Sequence, residues 1–142
     1  MRTIKFRGKC EYINGWAYGF LVKDSDDGST WIFPHDDTHA SAGGDWYATR
    51  EPGISVVKPE TIGQFTGLKD KNGKDIYEGD IMLLESFGQC VVWYDKDRCK
   101  FDLRIRLIDG GYIDKLWSLL TDKYEVIGNI YDNPELLKKD LK

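Results

Sequence analysis

The sequence is poor in the residues that most often carry chemistry or anchor a chain. Its 142 residues include two histidines, four prolines and three cysteines. Cys10, Cys90 and Cys99 are odd in number and widely spaced, so they form neither a disulfide framework nor a Cys-x-x-Cys pair, and the chain reads as one of a reducing cytoplasm. No run nears the roughly 20 apolar residues of a membrane-spanning helix. The basic start, Met1–Arg7, has no apolar stretch behind it, so it is no secretory signal, and no membrane association is expected. Positive charge is not in excess either: 20 Lys and Arg stand against 24 Asp and Glu, for a net charge of −4. A general nucleic-acid coat protein needs a basic face to displace counterions from phosphates, so nucleic acid is not the favoured partner.

What is present is apolar and aromatic. Hydrophobic residues make up 41% of the chain and aromatics 13%, with five Trp, eight Tyr and six Phe. That is enough to build a core and excludes wholesale disorder. Aromatic side chains favour strands and enrich binding surfaces.

The pattern along the chain is one of short strands and turns. Thr3–Arg7 alternates apolar and polar residues. Asn14-Gly15 signals a turn, after which Trp16, Tyr18, Phe20 and Val22 fall on one face of a strand ending near Lys23; Thr30–Phe33 returns beyond the polar turn at 24–29. The stretch 34–53 reads as an irregular loop, and Ile54–Val57 as a further short strand. Asn72-Gly73 and Gly79-Asp80 are turn positions, because Asn and Gly tolerate positive φ and Asp accepts hydrogen bonds from turn amides. Three strands follow, at about Asp80–Glu85, Gln89–Tyr94 and Lys100–Ile108. In the last, Phe101, Leu103, Ile105 and Leu107 alternate with Asp102, Arg104 and Arg106. Leu116–Leu120 is ambiguous between helix and strand. Tyr124–Tyr131 is a closing strand, and Asn133-Pro134 opens a short C-terminal helix running to about Lys139. The expected fold is mainly β within a β-rich α+β class. An SH3-like barrel with a C-terminal helix occupies 59–142, and an N-terminal β lobe occupies 1–58.

Two stretches carry a resemblance. The block Gly63-Gln64-Phe65-Thr66-Gly67-Leu68-Lys69-Asp70-Lys71-Asn72-Gly73-Lys74-Asp75-Ile76-Tyr77-Glu78-Gly79-Asp80-Ile81 resembles the central signature of the YopX family. Val126-Ile127-Gly128-Asn129-Ile130-Tyr131-Asp132-Asn133-Pro134-Glu135-Leu136-Leu137 resembles its C-terminal signature, and Ile4-Lys5-Phe6-Arg7 its usual start. The resemblance implies a protein encoded by a phage or prophage, with an SH3-like barrel in its C-terminal part, and it supplies no catalytic residues to carry over.

Four constellations invite a chemical reading. His35 and His39, with Asp36 or Asp37, have the types of a transition-metal site, but no helix signal puts them on one face, and a solvated acidic loop is the plainer account. Asp70–Glu78 has a faint calcium-loop look, yet Lys74 and Ile81 stand where oxygen ligands are required. Glu78 and Asp80 could form an acid/base pair, but no nucleophile is tied to them by spacing. The fourth is a basic strip, Lys96, Arg98, Lys100, Arg104 and Arg106, beside Trp93, Tyr94 and Tyr112. It has the composition of a barrel's nucleic-acid face, diluted by Asp95, Asp97, Asp102 and Asp109. The leading expectation is a non-enzymatic protein-binding or regulatory module without cofactor, engaging a protein partner or itself. A nucleic-acid-binding accessory factor acting through Arg104 and Arg106 comes second, and a metal-dependent enzyme centred on His35 and His39 third.

Overall fold

The computed structural model describes residues 1–34, 54–85, 87–106, 112–115 and 123–137. The chain is mainly β, as the alternation requires, and divides into two units, Met1–Phe65 and Thr66–Lys142. No helix among the described residues is long and apolar enough to cross a membrane.

The first unit is an antiparallel sheet. It is built from β1 (Phe6–Lys9), β2 (Trp16–Lys23), β3 (Thr30–Pro34), β4 (Ser55–Val56) and the first residues of β5 (Gly63–Lys69), in the order β4-β3-β2-β1-β5. The β2–β3 turn is held by two carboxylates that mimic backbone acceptors: Asp24 takes the N–H of Asp26, and Asp27 that of Ser29. Cys10, Ile32, Ile54, Val57 and Phe65 are buried. A 3-10 turn at Pro59–Thr61 precedes β5; its Thr61 hydroxyl donates to the Lys58 carbonyl and accepts the Lys9 N–H, so its burial leaves no polar atom wanting.

Strand β5 passes from the first unit into the second, where β6 (Asp75–Tyr77) lies next to it. The main sheet of the second unit comprises β7 (Asp80–Leu84), β8 (Gly88–Asp95), β9 (Lys100–Arg106), β10 (Tyr112–Lys115) and β11 (Tyr124–Asn129), in the order β10-β9-β8-β7-β11. Its core joins Ile76, Met82, Leu84, Cys90, Val92, Leu103, Ile105 and Val126. The register explains this set: Met82 faces Cys90 and Val126, and Cys90 faces Ile105. These residues therefore occupy one side of the pleat.

Two expected features take another form. Among the described residues β10 and β11 are the sheet's edges, and no pairing closes it into a barrel. The C-terminal helix is, in its described part, a single 3-10 turn, Pro134–Leu137. Such a turn needs only one stretch of tight i to i+3 bonding, here the Leu136 N–H donating to the Asn133 carbonyl at 3.1 Å.

Candidate functional site

Three local arrangements bear on function: the turns of the second unit, the Trp93–Arg104 face of β8 and β9, and the outer face of β2.

The turn at 70–74 is organised by one carboxylate. Asp70 is 7% exposed. Its Oδ1 accepts the N–H groups of Asn72 and Lys74, both at 2.9 Å, and its Oδ2 accepts that of Val126 at 3.0 Å. Burial alone would push this carboxyl up. The N–H groups of Val126, Lys74 and Asn72, with the Lys74 ammonium, outweigh it and hold the group below its ordinary value. A carboxylate so committed to N–H donors is a structural acceptor, and the calcium-loop look of 70–78 dissolves.

Gly79 and Asp80 lie where the chain turns from β6 into β7. Gly79 has φ +89°, donates its N–H to Val92 and accepts from the Ile130 N–H, each at 2.9 Å, so it links β8 to the segment after β11. Asp80, 1% exposed, accepts the Tyr77 N–H at 2.8 Å. Beyond β11, Asn129 Oδ1 accepts the N–H groups of Tyr131 and Asp132, while Asn133 Oδ1 accepts that of Asn129. Asn133 packs so closely that a Cβ on Gly128 would stand 2.6 Å from its Oδ1.

The aromatic-basic set of β8–β10 is divided. Register sets Trp93 opposite Asp102, Val91 opposite Arg104 and Tyr94 opposite Phe101. Trp93 and Arg104 share a face, with the guanidinium 4.2 Å from the indole centroid. Tyr94, one residue on, belongs to the other face and meets Phe101 edge-on at 5.2 Å. Arg106 and Tyr112 are placed by backbone register alone, opposite one another on β9 and β10. Two further cations of the strip have acidic partners: Arg98 pairs with Asp95 at 3.2 Å, and Lys100 with the buried Asp102 at 3.1 Å. Asp95 also accepts the N–H groups of Asp97 and Arg98, organising the β8–β9 turn as Asp70 organises its own.

The cysteines are not a pair. Cys90 lies in the core, where burial pushes its thiol up to about 12, while Cys99 sits exposed in the β8–β9 turn at φ +52°. Burial also raises the Cys10 thiol. His35 and His39 lie outside the described residues, as does nearly all of the 34–53 loop. Among the described residues no three His, Cys, Asp or Glu side chains converge as a metal site would require.

The outer face of β2 is the arrangement that sequence reasoning did not single out as a surface. Tyr18, Phe20 and Val22 alternate along the strand and are 50%, 49% and 46% exposed, while the intervening Gly19 is buried. Phe20 pairs with Phe33 and Val22 with Trp31 on β3, extending the apolar face across two strands. The alternation was visible; a signal for its outward sense lay in Gly19, which fits a crowded interior better than a surface.

These features describe a small antiparallel β protein whose turns are built on buried carboxylates and whose β2 strand carries an aromatic outer face. The chain belongs to the YopX family, whose model, described as YopX protein, matches residues 5–138. Among solved structures it is similar to protein EF1440 from Enterococcus faecalis, at 24% identity and a TM-score of 0.55, over 96% of this chain and 99% of that one. At that identity the likeness bears on the fold alone. No curated protein matches the chain.

Proposed function

We propose that the chain is a non-enzymatic binding module, encoded by a phage or prophage and acting in the host cytoplasm, which holds a protein partner or a second copy of itself against the outer face of β2. The observation that carries this reading is the run of Tyr18, Phe20 and Val22, each about half exposed on alternate positions of one strand. Covering the rest of each side chain is worth about 1 kcal/mol, half of what full burial yields. The committed carboxylate of Asp70, the Tyr77 N–H held by Asp80 and the raised thiols of Cys10 and Cys90 favour structural roles for groups of the kinds that serve elsewhere as acid, base or nucleophile. An SH3-like barrel remains our reading of the second unit. Its support is that β11 returns to flank β7, the first strand of the meander, while Ile76 of β6 enters the same core.

A photoreactive residue at position 20, with one at the exposed turn position 74 as control, tests the binding face in expressing cells. Discrete adducts at 20 and not at 74 support it, and their mass tells a second copy from another protein. Equal or absent cross-linking at both positions would overturn it.

Arg104 motivates a second reading, contact with nucleic acid. Its guanidinium rests on Trp93, and Arg106 and Tyr112 face each other on the adjoining strands. The pairing of Arg98 and Lys100 with acids leaves this face a small net field, which favours protein over phosphate as the partner. Salt-sensitive retention of DNA or RNA that Arg104→Ala weakens would reverse that order.

A further inference from the structure

We propose that Asn14 is a site of spontaneous modification, deamidating through a succinimide, and that the chemically equivalent Asn72 is protected from it by the fold. Both residues are followed by glycine, and both are exposed. In an Asn-Gly pair the glycine nitrogen attacks the side-chain amide carbon. The new N–C bond closes a five-membered imide, and the C–NH2 bond breaks, with ammonia leaving and carrying off the glycine N–H proton. Water then opens the imide at either carbonyl, giving aspartate or isoaspartate. Glycine favours this step because no side chain shields its nitrogen, and in both pairs the space about the glycine Cα is open.

The two sites differ in how the reacting groups are held. At 72–73 the attacking group, the Gly73 N–H, donates to the Asp70 carbonyl at 3.0 Å. The Asn72 side-chain amide donates to Glu125 Oε1 at 3.4 Å, and the Asn72 N–H is bound by Asp70 Oδ1. Cyclisation there must break the turn that docks on β11. At 14–15 the turn is closed, among the described residues, by the Cys10 N–H donating to the Gly15 carbonyl at 3.0 Å. Among the described residues nothing bonds the Asn14 side chain or the Gly15 N–H. Ile13 before Asn14 is bulkier at Cβ than Lys71 before Asn72, so the local sequence does not favour position 14, and the preference comes from the fold. The product places a carboxylate, or a backbone lengthened by one methylene in isoaspartate, in the turn that feeds β2, next to the first register pair, Lys9 with Trp16.

The test is ageing of the full chain in mildly alkaline buffer, followed by peptide mass spectrometry and isoaspartate detection. In the folded protein the Asn14 peptide converts several-fold faster than the Asn72 peptide. In denaturant the difference levels or inverts, and Asn14→Gln abolishes the early product. Equal rates in the folded state, earlier conversion at Asn72, or a preference for Asn14 that survives denaturation would each overturn the proposal.

Discussion

The carboxylate of Asp70 accepts the backbone N–H of Val126 at 3.0 Å, across 56 residues of sequence. One residue on, the Lys71 N–H donates to the Tyr124 carbonyl at 3.1 Å. A side chain and a turn amide thus stand where the carbonyl and N–H of a neighbouring strand would be, and they satisfy part of the edge of β11 that β7 does not cover. Exposed edges invite pairing with other chains, and a docked turn removes that opportunity.

Asp70→Ala removes the acceptor from three backbone donors and should cost about 2–4 kcal/mol, with Asp70→Asn costing about half as much. Urea titration gives both numbers. The pH dependence has a definite sign, because the folded carboxyl titrates below its unfolded value of about 3.9. Its stabilisation is fully present above that unfolded value, shrinks as pH falls through it, and is lost below the folded one. The stability gap between wild type and Asp70→Asn should therefore narrow below about pH 4.

Gly128→Ala drives a methyl group into Asn133 and should destabilise by about 1–3 kcal/mol. Asn133→Ala removes the two nearest atoms, Oδ1 and Cγ, and leaves only Cβ at 3.0 Å. A double-mutant cycle should show the two changes to be less costly together than their sum by about 0.5–3 kcal/mol, the range for residues in contact. Additive values would mean that the clash is relieved by backbone movement.

Cys99 holds a left-handed conformation that costs an L-residue roughly 1–2 kcal/mol. Cys99→Gly should raise the melting temperature by roughly 2–4 °C, once the greater freedom of glycine in the unfolded chain is set against the relief. Cys99→Val, branched at Cβ, should lower it.

Iodoacetamide labelling separates the thiols. In the folded protein near pH 8, Cys99 should react, while Cys90, buried and pushed up to about 12, and Cys10, buried, should stay protected. In denaturant all three should react. Labelling of Cys90 at the rate of Cys99 without denaturant would contradict the core assignment.

Much of this was legible because local chemistry decides it. The alternation from Phe101 to Arg106 made β9, and Asn72-Gly73 made its turn without reference to the rest of the chain. Other features depend on partners distant in sequence. Trp93 and Tyr94 read as one aromatic group, yet adjacent strand positions point to opposite sides, so only Trp93 joins Arg104. Period two identifies β2 as a strand but does not say which side is the core, and its larger side chains face outward. Asp70 stood out in sequence only as a failed calcium ligand; its actual partner, Val126, lies far beyond any local window. The segment Gly63–Lys69, broken by glycines, gave no strand pattern, and its pairing with β1 made it one.

The strand order of the second unit has a consequence for how the protein is made. β7 is flanked by β8, which follows it at once, and by β11, which leaves the ribosome some forty residues later. Until Tyr124–Asn129 emerges, the 70–74 turn has no strand to dock on, and Gly79 waits for Ile130. The β7–β8–β9 meander can form during translation, but the unit locks only after its C-terminal segment is free. A stalled or truncated nascent chain would thus expose the β7 edge to chaperones and proteases.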